Sequence, residues 1–170
     1  MLRFPMLVAA LAGAIALTPA AAMSAPEAQD YLARFEGTWK GGGSVIRNAD
    51  AGPLNVSCQV TGRQEGDQMS IAGRCRAALI FTRAIGADVE SRSGQFVGTY
   101  VGSTIGAAQL AGRKSGDSIR LNMTWPEPVN GDRKATMILT NDGKGSFTMV
   151  VADKIDGRTV ETTRVNFSRI

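Results

Sequence analysis

The sequence predicts an all-β domain, an antiparallel up-and-down β-barrel of roughly eight to ten strands behind a short N-terminal helix. Three observations carry that prediction. Turn-forming residues punctuate the chain at intervals of roughly ten to fifteen positions. Two hairpins, counted outward from their turns, sort apolar and polar side chains onto opposite faces. A glycine-rich run follows a tryptophan at the point where a first strand would have to coil tightly.

Met1-Leu2-Arg3, an Ala- and Leu-rich run to Leu17 and the exit Pro19-Ala20-Ala21-Ala22 have the form of a secretory signal peptide over residues 1–22, with cleavage after Ala22. No cysteine precedes Cys58, which argues against a lipoprotein anchor at this junction, and the short, Gly- and Ala-diluted apolar run argues against a retained membrane span. The expected product is periplasmic or secreted, with no integral membrane anchor after processing. Residues 23–36 then form an N-terminal segment with a short helix, and residues 37–170 form the barrel, one domain's length. The net charge is +4 for the whole chain and +3 without Arg3, and the basic residues are scattered, so no nucleic-acid partner is expected.

Pro26 and Glu27 suit a first helical turn, and Tyr31, Leu32 and Phe35 fall on one face, which predicts a helix over residues 27 to 36. The chain continues Gly37-Thr38-Trp39-Lys40-Gly41-Gly42-Gly43. Gly37 permits a sharp exit from the helix, and Trp39 begins a pleated run whose face it shares with Gly41, Gly43 and Val45. Glycines on that face imply that something large lies over the backbone, and Trp39 is the natural plug for one end of the barrel.

The stretch from Phe35 to Lys40 resembles the G-x-W opening of the calycin barrels, the lipocalins and fatty-acid-binding proteins; the likeness extends loosely to the final strand. It implies a helix before the first strand, a tryptophan at the closed end and a basic residue of the last strand lying over it, for which Arg169 and Arg164 are the matching positions. Nitrobindin-type haem barrels open in a similar way, but they need a histidine ligand and this chain has none.

A two-residue turn at Gly66-Asp67 sets Cys58 directly opposite Cys75 in a non-hydrogen-bonded pair, with Cα atoms roughly 4.5 Å apart and side chains on one face. A Cys58–Cys75 disulfide is therefore expected, formed in the oxidising compartment that export supplies. The same register puts Val56, Cys58, Val60, Met69, Ile71 and Cys75 inward and Gln59, Thr61, Arg63, Arg74 and Arg76 outward. Pairing about Gly116-Asp117 gathers Ala108, Leu110, Leu121, Met123 and Trp125, opposite Arg120, Asn122 and Thr124. For the last hairpin, a two-residue turn at Asp156-Gly157 mixes the faces, whereas a three-residue loop from Ile155 to Gly157 aligns Phe147, Met149 and Val151 with Val165 and Phe167. That loop also turns Arg169 inward and Arg164 outward, so Arg169 is expected over Trp39.

Residues 77 to 92 are open to several readings. Ala77-Ala78-Leu79-Ile80-Phe81 suits helix, buried strand or a lid, while Phe81, Ile85, Ala87 and Val89 alternate as a strand ending near Ser91. The run Trp125-Pro126-Glu127-Pro128-Val129-Asn130-Gly131-Asp132 reads as a stiffened loop at a barrel mouth, because two prolines are foreign to a central strand.

No catalytic or metal site is expected. Without histidine there is no Ser-His or Cys-His system, and Asp67, Asp117, Asp132, Asp142 and Asp156 all occupy turns, where aspartate bonds its own backbone. Asp88 and Glu90 share a strand face and read as solvated charges. The sequons at Asn55, Asn122 and Asn166 lie within strands. The chain is thus expected to be no enzyme and to carry no cofactor. The methionine-rich inner face, with Met69, Leu110, Leu121, Met123, Trp125, Met137 and Met149, is either a solid core or the wall of a pocket for a small apolar ligand such as a fatty acid or lipid fragment. The other expectation is an envelope protein partner, with the chain acting as a hydrolase inhibitor or a stabiliser of an envelope complex and residues 125 to 132 as its contact surface.

Overall fold

Ser24 starts the first element. Its hydroxyl accepts the Glu27 N–H at 3.4 Å, and Pro26 occupies the first turn of α1 (Ala25–Ala33), where no amide proton is needed. The helix therefore begins earlier and ends earlier than the expected span 27 to 36. The N–H groups of Arg34, Phe35 and Glu36 reach the carbonyls of Tyr31, Leu32 and Ala33, a tightened final turn. Gly37, at φ 113°, then swings the chain into the first strand. This structure, a computed structural model, describes residues 23–47, 52–78 and 80–170. The expected signal peptide lies outside the described residues.

Ten strands follow: β1 (Gly37–Val45), β2 (Leu54–Glu65), β3 (Gln68–Ala77), β4 (Phe81–Arg92), β5 (Gln95–Val101), β6 (Ala108–Ser115), β7 (Ser118–Val129), β8 (Asp132–Thr140), β9 (Ser146–Ile155) and β10 (Arg158–Arg169). Each runs antiparallel to the next, and β10 returns to β1, so the sheet closes as an up-and-down barrel. The seam pairs Trp39 with Arg169 and Gly43 with Val165. The strands approach closely there: a Cβ on Gly43 would lie 1.8 Å from the Arg164 carbonyl oxygen.

The hairpin arithmetic holds at β2–β3, where Cys58 pairs with Cys75, and at β6–β7, where Leu110 pairs with Met123. The last hairpin needs correction. Asp156-Gly157 is a two-residue turn after all, pairing Ile155 with Arg158, and a bulge between Glu161 and Thr163 shifts the register so that Met149 meets Val165 and Phe147 meets Phe167. The bulge thus does what the three-residue loop was invoked to do; it buries Thr162, whose hydroxyl donates to the Val151 carbonyl at 3.4 Å.

Of residues 77 to 92, Ala77 ends β3, Ala78 and Ile80 take turn conformations, and β4 begins at Phe81, with Ala87 and Val89 buried. Ile80 and Phe81, expected as core or lid, stand 78% and 60% exposed at the turn. The proline run also differs from a loop: it is extended and belongs to β7. The prolines are tolerated because β6 pairs with β7 only as far as Thr124, and β8 pairs at Thr124 and again only at Val129, so no ladder amide is lost.

The turns after β2, β4, β6 and β8 gather under α1. Gln29 bonds Asp67 at 3.1 Å, the Tyr31 hydroxyl donates to the carbonyls of Asp117 and Leu139 at 3.0 and 3.2 Å, and Arg34 pairs with Asp117 at 2.8 Å. Asp67 and Asp117 therefore fasten the helix instead of serving only their own turns. Buried Asn141 completes the attachment by donating to the Arg34 carbonyl at 3.0 Å. The remaining turns form the opposite end, the mouth.

Candidate functional site

The two ends of the barrel are built differently, and the difference locates the site. At the base, Trp39 is fully buried and its Nε1 donates to the Phe35 carbonyl at 2.9 Å. The Arg169 guanidinium lies 4.4 Å from the indole ring centroid and donates to the carbonyls of Glu36 and Arg34. One side chain of the last strand thus caps the tryptophan and satisfies the end of the helix. Phe147 joins the cluster edge-on to Trp39 and stacked on Phe167 at 4.4 Å between centroids. Leu121, Met123, Met137, Met69 and Leu110 are all buried above it, so this half is packed solid.

The mouth half is not filled. A cavity of about 370 Å³ opens there, within the size range of small-molecule sites. Val56, Cys75, Ile85, Tyr100, Trp125, Met149 and Val165 make its apolar wall, while Arg47, Arg83, Asn130, Asp153 and Thr162 bring polar groups to it. Its opening follows from strand length. Pairing of β4 with β5 begins only at Gly86 and Val101, leaving residues 81 to 85 without a neighbour on that side. The cavity reaches that gap, bordered by Phe81 and Thr82 on one side and Gly102 to Thr104 on the other.

Of the expected pocket residues, only Trp125 and Met149 border this cavity; Met69, Leu110, Leu121, Met123 and Met137 lie in the packed half. Cys58 and Cys75 form a disulfide with Cα atoms 4.0 Å apart, and Cys75 lines the cavity. The sequence reading missed Tyr100, Asp153, Asn130 and Arg83. The alternation of β9 through Phe147, Met149 and Val151 does predict an inward Asp153, but the alternation was followed only as far as Val151. Arg83 faces inward by its pairing with Cys75.

Two groups in the wall depart from ordinary chemistry. Asp153 is 4% exposed; its Oδ2 accepts from Asn130 Nδ2 at 3.0 Å and its Oδ1 from the Lys154 amide at 2.8 Å. Burial raises its pKa, the two hydrogen bonds act against the rise, and the neighbouring charge of Asp132 adds to it. Tyr100 is pushed up to about 12 by burial. It meets Trp125 edge-on at 6.2 Å, and the Trp125 Nε1–H is buried without a partner among the described residues.

A larger depression of about 770 Å³ lies on the outside of the barrel across β2 to β6. It is shallow and of mixed character, bordered by Arg63, Ser70, Asp88, Glu90 and Thr99 together with Val97 and Ala111, and Glu90 is held by Arg92 at 2.7 Å. Among the described residues, no group of three or more metal-ligating side chains occurs, and no helix is long and apolar enough to cross a membrane.

No family model matches the chain, and no curated protein matches it. Among solved structures it is similar to Rv2717c from M. tuberculosis, with a TM-score of 0.66 and 14% identity, covering 84% of this chain and 97% of the other. That likeness is one of fold: a closed antiparallel barrel of the same general form.

Proposed function

We propose that the chain is an exported barrel protein that binds a small, mainly apolar molecule, of the size of a fatty acid or lipid fragment, in the mouth cavity. The observation that carries this reading is the asymmetry of the interior: solid at the base, open for about 370 Å³ at the mouth, with aromatic and aliphatic walls and a lateral gap beside β4. The disulfide fits an oxidising compartment, in keeping with the N-terminal signal pattern. Native mass spectrometry of protein purified from its own envelope is expected to show a co-purifying molecule. Ile85→Trp, which fills the cavity, is expected to remove it. A barrel that carries nothing and shows no change in Trp125 fluorescence with any amphiphile would end the proposal.

The second reading, a protein-interaction module of the envelope, draws support from Ile80 and Phe81, which are large, apolar and exposed beside the mouth. Its test is a pull-down from envelope extract; repeated recovery of the protein alone counts against it.

A further inference from the structure

Buried carboxylates in proteins are paired with a cation or a metal, because the cost of removing the charge from water is otherwise uncompensated. Asp153 breaks that rule. Both of its protein hydrogen bonds come from neutral donors, an amide side chain and a backbone N–H, and it forms no ion pair among the described residues. The neighbouring charge of Asp132 is of like sign and offers no compensation. Two arginines border the cavity and neither forms an ion pair with Asp153: Arg47 follows Ile46, whose amide donates to the Thr162 carbonyl, and Arg83 belongs to β4, five strands away from β9 in either direction around the ring. Each Asp153 oxygen accepts a single bond and keeps acceptor capacity.

The carboxylate shares its cavity with an aromatic pair. Tyr100 and Trp125 line the same space, and an aromatic face attracts a cation, most of all where water is excluded. A buried carboxylate with no ion-pair partner among the described residues, two electron-rich rings and the apolar side chains of Val56, Ile85 and Met149 are the components of a site for an organic ammonium group.

We infer that the cavity takes an amphiphile whose polar end is a protonated amine, received by Asp153 and by the rings of Tyr100 and Trp125, with its hydrocarbon part against Val56, Ile85 and Met149. The inference rests on the reading that the cavity binds a ligand, and it narrows the class from apolar molecules in general to amines. A carboxylate-ended chain of equal length is disfavoured, since its head would meet Asp153 as a like charge.

Three probes with the same hydrocarbon body separate the two claims: octylamine, octanoate and octanol, each titrated below its micelle threshold into the mature protein and followed by calorimetry. Octylamine is expected to bind about tenfold or more tighter than the other two. In Asp153→Asn that preference is expected to vanish while octanol binding stays the same, with melting curves confirming that the variant is folded. Equal binding of all three, or preference for octanoate, overturns the amine assignment and leaves the apolar cavity standing. Failure of all three to bind overturns both. The ranking on the unaltered protein is decisive by itself, so the conclusion does not depend on the variant folding.

Discussion

Asp153 occupies an inward position of β9 where the alternation of the strand calls for an apolar side chain, and its burial has a measurable consequence for stability. Its raised pKa means that the folded state binds its proton more readily than the unfolded state. Stability from this group is therefore full at pH below the ordinary aspartate value of 3.8 and declines as pH rises from there through the folded pKa. Asp153→Asn is expected to be more stable than the parent at neutral pH and indistinguishable from it in this respect below about pH 3.8, as read from urea midpoints across a pH series. Tyr100 has the same sign at the other end of the scale: it weakens the fold as pH climbs from 10.0 toward about 12, and Tyr100→Phe is expected to flatten that alkaline decline. At the base, Arg169→Met keeps much of the aliphatic length but removes the cation over Trp39 and the bonds to the Glu36 and Arg34 carbonyls. A loss of about 1 to 3 kcal/mol is expected, measured by denaturant unfolding, with a change in Trp39 emission.

The strands were largely legible because turn chemistry fixes register. Gly66 and Gly116 take positive φ in their two-residue turns, and the pairings counted from them place Cys58 against Cys75 and Leu110 against Met123. What defeated the reading was local irregularity that leaves no compositional mark. The bulge at Thr162 follows from the need to align two apolar faces across an ordinary turn, and nothing in Glu161-Thr162-Thr163 announces it. The prolines of β7 suggested a loop because their exemption depends on how far β6 and β8 extend, a property of other strands. The site was less legible than the fold. Inward methionines identify the interior but not which part of it is packed, and the cavity opens where the shortness of β5 leaves the start of β4 paired on its β3 side alone. Two tests belong to this scale. Removing the disulfide with Cys58→Ala and Cys75→Ala opens a link of sequence separation 17 and is expected to cost about 2 to 3 kcal/mol in unfolding free energy. Gly43→Val is expected to prise β1 from β10, since its first side-chain carbon has no room beside the Arg164 carbonyl, and to lower the melting temperature more than the same change at the open position Gly52.

For the whole molecule, the helix-covered base and the open mouth divide the barrel into a rigid half and a permissive half. Amide exchange is expected to be slowest in β1, β2 and β10 around Trp39, Val60 and Phe167 and fastest at the β3–β4 tip near Ile80, with an added ligand slowing residues 81 to 85 and 125 to 129 selectively. Uniform protection along the strands would contradict this division.

The seam has a further effect on how the chain reaches its native state. Because Trp39 is matched with Arg169, the ring cannot shut until every intervening strand has been delivered, and the contact that locks it is among the most distant in the chain. Until then two sheet margins stand bare and the indole is uncovered, an arrangement that favours slow folding and self-association. For a polypeptide crossing a membrane in extended form, such a delay would hold off premature compaction, since the closing contact depends on the last strand to emerge.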